Sequence, residues 1–123
     1  MNKFNIPVVL FTFKRSNTVE RILKVLKEVG VSKLYLFSDY GRDDEEKALV
    51  EQTRREILDM IDWDCAVIKK FASENKGVFN SIARGAKEVF RSEEVAIFLE
   101  DDNLPEISFF RYFEEMLNRY KDN

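Results

Sequence analysis

Hydrophobic and polar positions along the chain alternate between two patterns. Ile6 to Phe13 is β-branched and aromatic with no polar alternation, the pattern of a strand buried on both faces. Ser16, Asn17 and Thr18 then offer capping side chains, with Glu20 three residues after Asn17. Val19, Ile22, Leu23, Leu26 and Val29 follow at helical spacing, and Gly30 is the stop. The cycle repeats. Lys33 to Phe37 reads as a second strand ending in Ser38 and Asp39. Asp43 to Glu46 opens a helix with the stripe Leu49, Thr53, Ile57 and Met60. Cys65 to Phe71 reads as a shorter, outer third strand, and Gly77 starts a helix with Val78, Ile82, Ala86, Val89 and Phe90 inward. Glu94 to Leu99 reads as a fourth strand ending in Glu100, Asp101 and Asp102. Pro105 starts a last helix carrying Phe109, Phe113, Met116, Leu117 and Tyr120. Four strands, each followed by a helix on a short connection, predict right-handed crossovers. The expected fold is a three-layer α/β/α domain, a Rossmann-like half with a mainly parallel four-stranded sheet.

Composition narrows the chemistry. A chain of 123 residues with Lys+Arg 20 against Asp+Glu 23 and net charge −3 makes one domain and lacks the basic footprint of a nucleic-acid binder. There is no histidine, so acid, base or metal chemistry falls to carboxylates, amines and hydroxyls. Cys65, alone, forms no internal disulfide and reads as core. The longest apolar run, Ile6 to Phe13, is followed by Lys14 and Arg15, so it predicts neither a membrane span nor a signal peptide. With the single cysteine, this points to a cytoplasmic address.

In an open parallel sheet, ligands bind outside the carboxyl ends of the strands. There the four strands deliver Thr12, Lys14 and Arg15; Ser38 and Asp39; Ser73 to Lys76; and Glu100 to Asn103. Strand alternation predicts Glu100 and Asp102 on one side and Asp101 on the other. Such carboxylates suit a divalent ion, Mg²⁺ or Mn²⁺, whose remaining positions go to phosphates and water; acids there also suit a cap on the next helix. Asp39 fits a base or ribose hydroxyl, or an Asx turn before Gly41. Lys14 and Arg15 fit a phosphate, a base face, or solvent. Asn75, Lys76 and Gly77 precede a helix, but no GxGxxG or GxxxxGK[ST] cradle is present, which excludes a dinucleotide or P-loop reading. Asp43 to Glu46 fits a first helical turn.

Ile6 to Arg15, Ser38-Asp39, Asn75 to Gly77 and Ile97 to Asp102 together resemble the nucleotide-sugar-binding half of GT-A glycosyltransferases, family-2-like or N-acetylglucosaminyltransferase I-like, where the Asp-x-Asp motif takes the form Glu-Asp-Asp. The resemblance spans nearly the whole chain. It implies a metal-dependent transferase using a nucleotide-sugar donor, a UDP-sugar, and a glycan or other acceptor. It also implies Arg15 and Asp39 near uracil and ribose, Asp101 toward ribose or diphosphate, and Asp102 as the direct ligand of Mn²⁺ or Mg²⁺. Thr12, Lys14, Lys76 and Glu100 complete the expected donor site. Gly85 stands where family 2 carries Asn after Ala83 and Arg84. GT-A domains of this type continue for about another hundred residues, so residues 1–123 are expected to be a truncated, donor-binding part of one. No acceptor-side base is identified. The other reading is a non-catalytic α/β interaction or receiver-like module, and a sheet ending at the fourth strand leaves an edge able to pair with a second copy.

Overall fold

The first strand is one of the two interior strands of the sheet, and every residue in it is buried. In the computed structural model, which describes residues 3–14, 16–102 and 104–121, β1 (Val8–Thr12) lies between β2 (Lys33–Ser38) and β4 (Ile97–Glu100), with β3 (Ala66–Phe71) outside β2. The order β3-β2-β1-β4 is parallel throughout. The expected α/β sheet is therefore present. Helices α1 (Ser16–Val29), α2 (Asp44–Met60), α3 (Val78–Val89) and α4 (Ile107–Lys121) follow their strands. No described helix is long and apolar enough to cross a membrane.

Alternation along the strands divides the core in two. Val8, Leu10, Leu34, Leu36, Ile97 and Leu99 pack with the apolar stripe of α1, with Ile57 of α2 and with Phe110 of α4. Val9, Phe11 and Tyr35 point the other way and pack with Val89 of α3, flanked by Phe37, Ile68, Ile82 and Phe98. Three helices thus cover one face and one covers the other. Each fully buried Leu, Ile or Phe contributes about 1.5–3 kcal/mol. Phe4 ties the larger layer together: its backbone bridges to the Gly30–Ser32 turn, and its ring meets Phe110 edge-on at 5.6 Å.

Several boundaries and stripes differ from the sequence reading. Asp43 caps α2, where expected, by accepting from the Glu46 N–H at 2.8 Å; Thr53 and Ile57 face inward as read, together with Glu46 and Val50, while Leu49 is left exposed. In α3, Val89 and Ile82 face the sheet as read, Gly85 joins them, and Val78 and the C-cap Phe90 are exposed. In α4 the buried aromatic is Phe110, with Phe113 and Leu117 packed against the core as read, whereas Phe109, Met116 and Tyr120 are exposed; the helix starts at Ile107, two residues later than Pro105. β3 holds the outer position expected but has six residues, as many as β2; β4, from Ile97 to Glu100, is the shortest. Cys65 precedes β3, half-buried against the larger core, and burial pushes its thiol up to about 11, the state of a packing residue.

Gly85 is where α3 comes closest to the sheet. A Cβ there would lie 2.9 Å from the Phe11 ring and 3.1 Å from the Phe37 ring. Gly85→Leu must move the helix or both rings. It is expected to lower stability by about 1–3 kcal/mol, seen as a lower urea midpoint with an unchanged m-value.

Candidate functional site

The parallel register brings Thr12, Ser38 and Phe71 to one level, with Glu100 beside Phe11. After β3 the chain returns across the sheet to place β4 on the far side of β1. The strand order therefore reverses between β1 and β4, and a crevice opens where connections leave in opposite directions. A cleft of about 940 Å³ lies there, with Phe11, Phe37 and Phe71 among its walls. Thr12, Lys14, Asp39, Lys76, Glu100, Asp101 and Asp102 all line it. Arg15 and Asn103 lie outside the described residues.

The wall formed by β2 and β3 is held by Arg54, a half-buried residue of α2. Its Nε donates to Ser38 Oγ at 2.8 Å, and its Nη2 donates to the carbonyls of Ser38 at 3.0 Å, Asp39 at 3.3 Å and Ala72 at 2.9 Å. The guanidinium also stacks 5.1 Å from the Tyr40 ring centre and 4.8 Å from that of Phe71. Burial pulls its pKa down from the ordinary arginine value, and the carbonyls and rings offset that cost. One planar fork thereby fixes the ends of two strands.

Asp39 fastens the next segment. Its Oδ1 accepts from the N–H groups of Tyr40 and Lys76, both at 2.9 Å. Its Oδ2 accepts from the Gly77 N–H at 3.1 Å and from Asn75 Nδ2 at 3.4 Å. The carboxylate thus cross-links the end of β2 to the start of α3; its one local bond is to the adjacent Tyr40 N–H rather than to Gly41, so it does not close the Asx turn expected before that glycine. Gly77 makes this bend at φ 85°, where a side chain is disfavoured.

On the β1 side, Thr12 is buried and its hydroxyl donates to the Phe37 carbonyl at 2.9 Å. Lys14 Nζ reaches Glu46 Oε2 at 3.0 Å, and Arg42 grips the same carboxylate through Nε at 2.9 Å, Nη2 at 2.8 Å and its backbone N–H at 3.0 Å. The Arg42 guanidinium, followed by its backbone N–H and by Lys14, holds Glu46 well below the usual carboxylate range. Glu46 belongs to the acidic run at the start of α2, and it is the member that turns inward to meet these cations.

The acid turn closes the cleft opposite. β4 ends at Glu100, and Asp101 and Asp102 already lie in a turn, so strand alternation stops one residue too early to place the last two acids. Asp101 Oδ2 accepts from the Phe13 N–H at 3.2 Å, tying the turn to the end of β1. Glu100 and Asp102 are exposed, with no hydrogen bond or ion pair to the described residues. No group of three or more metal-ligating side chains gathers among the described residues. The donor set is thus one or two free carboxylates, which fits an Mg²⁺ or Mn²⁺ ion that takes its other ligands from a phosphate and water.

Sequence reasoning overlooked the basic half of the cleft. Arg42, Lys69, Lys70 and Arg84 also line it. Lys70 pairs with Glu88 at 2.6 Å, while Lys69 and Arg84 carry no ion pair among the described residues. Two basic residues inside a strand and one beside a mid-helix glycine were the available signals. The cleft is therefore dipolar, acidic beside β4 and basic toward β3 and α3. Compared with family models, curated proteins and solved structures, the chain matches none.

Two outcomes follow from these contacts. Arg54→Met strands the carbonyls of Ser38, Asp39 and Ala72 and is expected to cost about 2–4 kcal/mol in urea unfolding, with Arg54→Lys recovering little because an ammonium cannot span them. For Glu46, the folded carboxyl binds its proton far less readily than the unfolded one, whose ordinary value is 4.5. Its contribution is complete above that value and is lost as pH falls below it. The gap in thermal midpoint between the parent chain and Glu46→Gln should stay constant above about pH 5 and narrow steadily in more acidic buffer.

Proposed function

We propose that the cleft binds a nucleoside-diphosphate sugar, a UDP-sugar by resemblance, together with a divalent ion at Asp102, and that the chain is the donor-binding part of a GT-A-type glycosyltransferase. The observation that carries this reading is the convergence of Thr12, Lys14, Asp39, Lys76 and the Glu100–Asp102 turn on one cleft at the strand-order reversal. The lone cysteine supports a cytoplasmic setting for it.

Each part of the cleft has a task in that reading. In glycosyl transfer the bond from the anomeric carbon to the diphosphate oxygen breaks, and the nucleoside diphosphate leaves with the electron pair. A divalent ion bound there supplies positive charge to that leaving group. Asp102 is the free carboxylate to hold it, and Glu100 is the second. Asp101, bound to the Phe13 N–H, sets the turn at the right height. Lys76 can move from Glu74 to a phosphate at little cost, because their 2.6 Å pair is largely exposed. Lys14 is less free, since the buried Glu46 depends on it. Asp39 spends its acceptor capacity on residues 75–77, so in this reading it shapes the nucleoside wall. Apolar Phe11, Phe37 and Phe71 offer surface to a base or sugar. No residue is assigned as the acceptor-side base, and the isolated chain is expected to bind donor and transfer weakly or not at all.

Calorimetric titration of UDP with and without Mn²⁺ tests the site. Binding should require the metal, and Asp102→Ala should weaken it by about 10–100-fold, the worth of one charge-assisted contact. Equal affinity with and without Mn²⁺, or in Asp102→Ala, contradicts the assignment.

A further inference from the structure

The cleft leaves one side of the molecule unexplained, and that side is unusually apolar. Of the exposed large hydrophobic residues described, all but Leu49 belong to α3, α4 or the segments next to them. They form two stripes. On α3, Phe79 and Phe90 are 11 residues apart, three helical turns, and so share a face. Phe90 touches Phe98 of β4 at 5.5 Å between ring centres, which turns the stripe toward that strand. On α4, Phe109, Met116 and Tyr120 repeat the same spacing with Tyr112 alongside, away from buried Phe110. Between the stripes runs β4, paired only with β1.

We infer that this end of the sheet is a two-fold interface between copies of the chain, made by antiparallel pairing of β4 with itself. The two edges of the sheet are treated differently. β3, the other edge, carries Lys69 and Lys70 within the strand, a charge pattern that discourages pairing. β4 reads Ile-Phe-Leu-Glu, with its single charge at the end. About the strand's own midpoint, antiparallel pairing sets Glu100 opposite Ile97, so like charges do not meet.

The layers argue for a second copy as the occupant. A partner must offer a strand at the height of β4 and apolar helices at the heights of α3 and α4. A copy turned about an axis normal to the sheet does so, bringing α3 against α3 and α4 against α4, an isologous contact. Area agrees. Phe79 is 90% exposed, Tyr120 81%, Tyr112 63%, Met116 52%, Phe90 51% and Phe109 44%. At 150–250 Å² per aromatic, these represent on the order of 600–900 Å². A stable interface takes about 800 Å² from each partner, an area the two stripes reach only when both are covered together. The inference concerns residues 1–123 as a unit and is independent of which ligand the cleft binds.

Sedimentation velocity on the full chain over about 1–100 µM, a span that covers the weaker interfaces of this area, should show a species of twice the 14.6 kDa chain mass. Two variants target separate layers on exposed positions: Met116→Lys with Tyr120→Lys on α4, and Phe79→Lys with Phe90→Lys on α3. Each should shift the dimer to monomer while leaving the far-UV circular dichroism unchanged. A monomer at every concentration overturns the inference. So does open-ended growth beyond a dimer, or a dimer that persists undiminished in both variants.

Discussion

The burial of β1 on both faces is the constraint from which the rest follows. Val8 to Thr12 presents no exposed residue, so its backbone needs a strand on each side and its side chains need a helical layer above and below. Right-handed crossovers then put α1 and α2 on one face as the chain moves outward to β3. The return to β4 puts α3 on the other face. The reversal falls beside β1, and the cleft opens there. Its position follows from how the central strand is covered.

What turns that crevice into an ordered site is a set of charges spent on the backbone. Arg54 satisfies carbonyls at the ends of β2 and β3, Asp39 gathers the N–H groups that begin α3, and Asp101 ties the acid turn to β1. Glu46 does the same for the Arg42 turn and Lys14. Each is a charge-assisted contact, stronger and more directional than a neutral one. Together they hold the rim in place before any ligand arrives. What remains uncommitted is Glu100, Asp102, Lys69 and Arg84, which lie toward opposite ends of a dipolar cleft.

Much of the fold was legible because buried strands and amphipathic helices leave direct marks in sequence. The strand within the run from Ile6 to Phe13, trimmed to Val8–Thr12, and the stripe from Val19 to Val29 appear in the structure where the pattern puts them. Stripes near helix starts were less legible. In α2 the inward face runs through Glu46, Val50, Thr53 and Ile57 rather than Leu49, and in α4 it is Phe110 rather than Phe109 that meets Phe4; tertiary packing makes both choices. At the site, strand-end residues could be listed from topology alone, but partners could not. Nothing in a linear pattern says that Asp39 will meet residues 75–77 or that Arg54 will reach two strands, since these contacts join segments that only the crossovers bring together. Gly85, in a helix interior, was the local clue to the close approach of α3.

We propose that a nucleoside diphosphate and its cation are held together at the β4 end of this cleft. Paramagnetic broadening of backbone amide signals by Mn²⁺, measured with and without UDP, tests it most directly. The account predicts that UDP concentrates the broadening on residues 100–102 and the neighbouring ends of β1 and α3, and that Asp102→Ala abolishes it. Broadening centred on Asp43 to Glu46, or a pattern indifferent to UDP, would contradict it.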